Sequence, residues 1–186
     1  MQTIADLQSR FFRPGRVVWI GVRSARKAPM HGVQRVEIDE TGLVGDHGQS
    51  AQRAVTLLQA EHLAVIEALC GKDIVVPELL RRNVLVAGIN LNALRNRPIW
   101  LGTARLEITG PCAPCSRMEA ALGEGGYSAM RGHGGWCARV IEPGIAAIGD
   151  QLVPAAAERP LGQADQAATH ARDASVSVFR NPRARR

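Results

Sequence analysis

The sequence has 186 residues, of which 46% are hydrophobic, and this favours one globular domain plus a tail. No apolar stretch is long enough to span a membrane, and the polar N-terminus lacks the apolar segment of a signal peptide, so we expect a cytoplasmic protein that contacts no membrane. The net charge is +6, but only 4% of the residues are aromatic and no nucleic-acid-binding motif is recognisable. We therefore expect no nucleic-acid partner.

The residue pattern predicts a short N-terminal helix followed mainly by short strands. Residues 3–12 are amphipathic, with Thr3 as N-cap and Pro14-Gly15 as the end of the helix. Apolar and alternating runs predict strands at 17–22, 33–38, 54–58, 84–86, 99–101, 104–108, 136–141, 145–148 and 151–153. Further helices are predicted at about 59–70, 77–80 and 116–122. Many short strands with one substantial helix favour a mainly β (α+β) fold, a closed or nearly closed β-barrel with a few helices.

The chain divides into three predicted segments. Residues 1–15 form the N-terminal helix, and residues 16–154 form the domain. Residues 155–186 are rich in Ala and Arg and have no periodicity, which is typical of a disordered tail.

The four cysteines are Cys70, Cys112, Cys115 and Cys137, and a cytosolic chain keeps them reduced. Cys112 and Cys115 form the sequence C-A-P-C, which is compatible with half of a zinc site, a redox pair, or one working cysteine with a neighbour. A structural zinc site needs a second pair at similar spacing, and the sequence has none.

Three groups of segments together resemble the MOSC domain family. They are GLVGD at 42–46 with RAVTLL at 53–58, RRNVLVAGI at 81–89, and CAPC at 112–115 with the glycines of 132–135 and the segments 144–145 and 148–150. The resemblance implies a β-barrel-like MOSC fold that binds the molybdenum cofactor (molybdopterin). It also implies that Cys115 is the reactive thiol and a ligand of molybdenum, since the family keeps the second cysteine position of this loop.

The resemblance further implies a set of residues that hold the phosphate of the cofactor. Arg81 and Asn83 match the family's R-P-N element, whose middle position is Arg in this chain. Arg23 and Ser24 lie where related enzymes carry Lys-Ser, and Arg53 occupies a basic position of the family. Arginine suits this role because its guanidinium group binds phosphate with two hydrogen bonds.

The loop 132–135 has the sequence Gly-His-Gly-Gly. Because Gly134 and Gly135 lack side chains, we expect their backbone to approach a large flat cofactor closely. His133 is either a proton donor to the substrate or a solvated loop residue.

Three functions are compatible with these residues. The first is a molybdenum-dependent oxidoreductase that reduces N-hydroxylated small molecules, with electrons from a separate redox partner because the chain has no flavin, haem or iron–sulfur motif. The second is a sulfur-transfer protein, in which a sulfur donor places a persulfide on Cys115. The third is a non-catalytic carrier of the cofactor.

Overall fold

The computed structural model of the chain describes residues 2–8 and 10–155. The strands, in chain order, are β1 (Gly15–Val22), β2 (His31–Gly32), β3 (Arg35–Asp39), β4 (Gly42–Leu43), β5 (Val55–Gln59), β6 (Val84–Ala87), β7 (Pro98–Leu101), β8 (Ala104–Pro111), β9 (Trp136–Glu142), β10 (Gly144–Ala147) and β11 (Gln151–Pro154). The helices are α1 (Ile4–Gln8), α2 (Glu61–Cys70), α3 (Pro77–Leu80), α4 (Ser116–Leu122) and α5 (Gly126–Ala129), and a 3-10 helix covers Leu91–Leu94. The division of the chain at residues 15 and 154 stays a prediction, and residues 156–186 of the predicted disordered tail lie outside the described residues.

Seven strands form a closed β-barrel. The order around the barrel is β11-β7-β8-β9-β5-β6-β1, and the pairing of β1 with β11 closes the ring. Gly15 pairs with Leu152 and Arg16 with Gln151 at this closure. Every pair is antiparallel except β5 with β6, which are parallel and joined through α2 and α3. This confirms the predicted barrel, and β3, β4 and β10 form a small second sheet.

The parallel strands β5 and β6 separate two hydrophobic cores. Leu57 and Val84 belong to the barrel interior, while their neighbours Leu58 and Leu85 pack against the helices. Side chains of adjacent strand residues point to opposite faces, so each strand serves both cores, as is typical of parallel strands covered on both sides. The helical layer over this pair includes Ile66 of α2 together with Leu80, Met118, Leu122 and Met130.

Helix α2 ends where the sequence predicts. Gly71 adopts a left-handed conformation (φ 62°), and its N–H donates to the carbonyl oxygen of Glu67.

The N-terminal helix is shorter than predicted, because α1 ends at Gln8 and no helix is found at residues 10–14. Its start has reciprocal capping, since Asp6 N–H donates to Thr3 Oγ1 and Thr3 N–H donates to an Asp6 carboxylate oxygen. Within the described residues, no helix combines the length and the apolar character that a membrane span requires.

Candidate functional site

The predicted reactive cysteine lies where the barrel meets the helices. Strand β8 pairs with β9 as far as Pro111, and Cys112 N–H then donates to the carbonyl oxygen of Gly135 at 2.8 Å. Cys115 ends this loop as the N-cap of α4 and is exposed to solvent. Pro114 restricts the backbone just before it. The thiol of Cys115 is therefore accessible on a loop that is anchored at both ends.

Cys115 lines a pocket of about 610 Å³, which we call the arginine pocket. Among the described residues, six arginines and no aspartate or glutamate contribute to its lining. The arginines are Arg23, Arg26, Arg53, Arg81, Arg82 and Arg117. The predicted site residues Cys115, Arg23, Arg53 and Arg81 are thus brought together from four separate parts of the chain. Such a surface favours an anionic ligand.

Arg81 is held in an unusual backbone conformation. Its φ of 58° is left-handed, which costs a residue other than glycine about 1 kcal/mol or more. The guanidinium group donates to the carbonyl oxygens of Ala28 at 3.1 Å and Arg26 at 2.9 Å. Burial, together with repulsion from Arg23 and Arg117, lowers the pKa of Arg81. An anion in the pocket would relieve this repulsion.

Arg23 is positioned by Asp46. The Asp46 carboxylate, which is almost fully buried, accepts hydrogen bonds from the backbone N–H groups of Arg23 at 2.9 Å and Gly48 at 2.8 Å. The Arg23 Nε atom lies 3.9 Å from this carboxylate and has no hydrogen-bond partner among the described residues, although it is buried. A buried donor without a partner is costly, and an anionic ligand could satisfy it. Sequence reasoning gave Asp46 no such role.

Arg53 lies beside two buried thiols. Its Nε atom donates to the Sγ atom of Cys137 at 3.4 Å. A hydrogen bond from the Cys137 thiol, with smaller contributions from Arg82 and Arg53, lowers the pKa of Cys112 to about 6 against the opposing effect of burial. The same hydrogen bond raises the pKa of Cys137 strongly. The thiolate form is therefore favoured at Cys112 and the thiol form at Cys137.

Two of the predicted phosphate-binding residues do not line the arginine pocket. Ser24 is exposed on the loop after β1. Asn83 is buried, and its Oδ1 atom accepts from both the hydroxyl (2.7 Å) and the backbone N–H (3.2 Å) of Thr56, while its Nδ2 atom donates to the carbonyl oxygen of Gly21. Both lone-pair sites of Oδ1 are used in this way. Asn83 thus joins β1, β5 and β6 beneath Thr56, which does line the pocket.

Arg82, which replaces the proline of the family element, is buried. It donates to the carbonyl oxygens of Gly134 at 2.6 Å, Leu80 at 2.8 Å and Cys112 at 3.2 Å. A Cβ atom at Gly134 would lie 2.7 Å from the carbonyl oxygen of Cys112. At Gly135 a Cβ atom would collide with the carbonyl group of Leu57. The close approach allowed by both glycines is therefore to the protein's own backbone, and their contact with a cofactor stays a prediction.

A second pocket, of about 410 Å³, shares Cys112 and Ala113 with the arginine pocket. Gly134 and Gly135 line it together with His62 and His133, whose rings meet edge to face with centroids 5.0 Å apart. Burial, with repulsion from His133, lowers the pKa of His62. The predicted loop histidine is therefore packed against a second histidine, which sequence reasoning missed because it belongs to α2.

No group of three or more His, Cys, Asp or Glu side chains within residues 2–8 and 10–155 is arranged to hold a metal ion. A metal at Cys115 must therefore arrive with other ligands of its own. A soft thiolate is well suited to molybdenum carried on the sulfur atoms of a pterin cofactor. The exposed thiol and the cationic pocket fit such a group.

The comparisons with known proteins agree with this fold. The model of the MOSC domain matches residues 44–153, more than half of the chain, so the chain belongs to the MOSC domain family. This family is associated with binding of the molybdenum cofactor. A search of curated proteins finds no significant match.

Solved structures of bacterial proteins share the fold. YuaD from Bacillus subtilis has 18% sequence identity and a TM-score of 0.68, with 75% of this chain and 94% of YuaD covered. YiiM from Geobacillus stearothermophilus has 19% identity and a TM-score of 0.65, with 86% of each chain covered. YiiM from Escherichia coli has 19% identity and a TM-score of 0.60, with 82% of this chain and 76% of YiiM covered. The TM-scores show that these proteins share the fold of this chain, and at such low sequence identities the similarity shows the fold alone.

Proposed function

We propose that the chain binds the molybdenum cofactor in the arginine pocket, with Cys115 as a thiolate ligand of the metal, and reduces N-hydroxylated small molecules. Electrons come from a separate redox partner in the cytoplasm. The observation that carries this proposal is the exposed thiol of Cys115 at a pocket whose lining, within residues 2–8 and 10–155, includes six arginines and no carboxylate.

The electrostatics of the pocket support an anionic ligand of considerable size. Burial and repulsion from Arg23 and Arg117 lower the pKa of Arg81, and Arg23 Nε is buried without a hydrogen-bond partner in the described part of the chain. A terminal phosphate among these groups would offset the repulsion and satisfy the donor. The pocket volume of about 610 Å³ lies within the usual range for small-molecule sites.

Each of these residues of the site then has a distinct task. Arg23, Arg81 and Arg117 neutralise the phosphate, and Asp46 fixes the backbone of Arg23. Cys115 supplies the thiolate. When bound, the molybdenum cofactor would supply the two electrons that, together with two protons from solvent, convert an N–OH group to N–H and water.

Elemental analysis of the protein purified from a molybdenum-replete host tests the cofactor. We expect molybdenum and a pterin in the wild type, loss of both in Arg81→Glu, and retention in the control Arg35→Glu, which reverses a charge at an exposed position on β3. A wild-type protein that contains neither metal nor pterin contradicts the proposal. Turnover of a hydroxylaminopurine with a chemical reductant tests the activity.

Sulfur transfer is the second candidate, and the exposure of Cys115 is the observation that favours it. Incubation with a cysteine desulfurase and cysteine, followed by mass spectrometry, separates the two functions. An added sulfur on Cys115 in a metal-free protein supports transfer. Molybdenum without turnover of any N-hydroxylated compound supports a cofactor carrier instead.

A further inference from the structure

The two buried thiols beside the arginine pocket have no task in the proposed function. Cys112 lines both pockets, whereas Cys137 lies behind it on β9 in contact with Arg53. We infer that Cys112 and Cys137 are a redox pair, in which Cys112 attacks a negatively charged low-molecular-weight disulfide and Cys137 then closes a Cys112–Cys137 disulfide. This activity goes beyond the proposed function and requires no molybdenum.

The register of β8 and β9 brings the two cysteines close together. Gly110 of β8 pairs with Cys137 of β9, and two residues further along Cys112 N–H donates to the carbonyl oxygen of Gly135. The two cysteines are therefore diagonal neighbours on the same face of these strands, and both lie beside Arg53. A disulfide requires the sulfur atoms to approach to about 2.05 Å, and from a diagonal position this takes new side-chain rotamers together with a small shift of the strand ends.

The order of the two steps follows from the charges around the pair. Cys112 faces the Cys137 thiol, Arg82 and Arg53, all of which stabilise its thiolate. The hydrogen bond with Cys112, together with burial and repulsion from the Cys112 thiolate, raises the pKa of Cys137 and favours its thiol form. Cys112 therefore reacts first, since the thiolate is the nucleophile.

In the first step, the Cys112 thiolate attacks one sulfur of the small disulfide, the disulfide bond breaks, and one thiolate leaves. Cys112 then carries a neutral mixed disulfide, so the charge that kept Cys137 protonated is gone. Arg53, at 3.4 Å from the Cys137 sulfur, now stabilises the Cys137 thiolate. Cys137 loses its proton to solvent, attacks the Cys112 sulfur and releases the second small thiol. The protein loses two electrons and the small disulfide gains two.

The pocket determines which disulfide reacts. Cys112 is only 5% exposed, so the reagent must approach along a pocket wall. The arginine pocket attracts anions and repels cations, because six arginines and no carboxylate line it. We therefore expect the dianion 3,3′-dithiodipropionate to react at least about tenfold faster than the dication cystamine, which is also a dialkyl disulfide, at low ionic strength, and 1 M salt to reduce the difference.

Peptide mapping tests the bond itself. Trypsin cleaves after Arg105, Arg117, Arg131 and Arg139, which places Cys112 in fragment 106–117 and Cys137 in fragment 132–139. After treatment of the wild type with 5,5′-dithiobis(2-nitrobenzoate) and alkylation of free thiols, we expect these fragments to be joined. Fragment 106–117 also contains Cys115, so the same link in Cys115→Ser assigns it to Cys112. Free fragments in both proteins overturn the inference.

Variants separate the two steps. In a Cys115→Ser background, Cys137→Ala should retain one nitrothiobenzoate on Cys112 as a stable mixed disulfide, while Cys112→Ser should form no link. The control Cys70→Ser should link as the wild type does.

The rate of the first step should rise through about pH 6, compared with about 8.5 for an ordinary thiol. A rate that rises only near the ordinary value, or a Cys137→Ala protein that discharges the mixed disulfide at the rate of its parent, overturns the inference. Should the Cys115→Ser variant fail to fold, tandem mass spectrometry of the linked wild-type fragments assigns the bond to Cys112 or to Cys115, and a bond at Cys115 overturns the inference.

Discussion

Arg82 donates a hydrogen bond from Nε to the carbonyl oxygen of Gly134 at 2.6 Å, across 52 residues of sequence. A second bond from the same guanidinium group reaches the carbonyl oxygen of Cys112. One buried charge therefore fixes the glycine loop and the cysteine loop relative to each other. The arginine pocket and the second pocket, which His62 and His133 line, both depend on this junction, because Cys112 lines each of them.

Replacing Arg82 should destabilise the protein more than replacing a surface arginine. Arg82→Met leaves three backbone carbonyls without their donor, and we expect a decrease of about 3 kcal/mol in the free energy of unfolding. The control Arg139→Met removes an exposed pair with Glu107 and should cost about 0–1 kcal/mol. Urea denaturation measures both values. Equal costs would mean that the buried bonds contribute little.

Asn83 and Thr56 should be energetically coupled. Asn83→Ala and Thr56→Val each break the network that joins β1, β5 and β6, so the two losses should overlap in a double-mutant cycle by about 1 kcal/mol. The folded Asn83→Ala protein should retain molybdenum, because its side chain does not line the arginine pocket. Additive losses would contradict the coupling, and loss of metal from folded protein would give Asn83 a direct role in binding.

His62 should make the protein less stable in mild acid. Its pKa is lowered in the folded state, so the unfolded chain binds the proton more tightly. The free energy of unfolding therefore falls as the pH decreases through the unfolded-state value of about 6.5 towards the lower folded-state value. His62→Gln should flatten this dependence in urea denaturation at several pH values, whereas His31→Gln, at an exposed position, should not. An unchanged slope in His62→Gln would exclude this origin.

Asp46 should influence ligand binding through Arg23. Asp46→Ala removes the acceptor of two backbone N–H groups and frees the loop that carries Arg23. We expect lower molybdenum retention, together with a stability loss of about 1–2 kcal/mol. Glu142→Ala, which removes an exposed ion pair with Arg105, is the control. Full retention of metal in Asp46→Ala would show that Arg23 needs no such support.

The sequence predicts elements whose signal is local. Helix α2 was predicted to within about two residues because apolar spacing and Gly71 mark its course and end. Helix α5 was missed, since it is four residues long and lies in the glycine-rich segment 123–135. The closure of the barrel between β1 and β11 also has no local signal, because it depends on how all the intervening strands twist.

The residues of the candidate site also divide into those that the sequence predicts and those that only the folded structure brings in. Its cysteine and three of its arginines follow from the resemblance to the MOSC family, whereas Arg117 and Arg26 enter the pocket only through the packing of α4 and the loop after β1. The contact between Cys112 and Cys137 depends on the register of β8 with β9. Residue spacing alone carries no information about that register.

X-ray absorption at the molybdenum edge tests the central claim most directly, by counting the sulfur ligands of the metal. We expect the wild type and the control Cys70→Ser to have one sulfur more than the dithiolene pair supplies. Cys115→Ser should lose that one sulfur, or lose the metal altogether. A Cys115→Ser protein that retains full metal content and the wild-type number of sulfur ligands would contradict the role of Cys115.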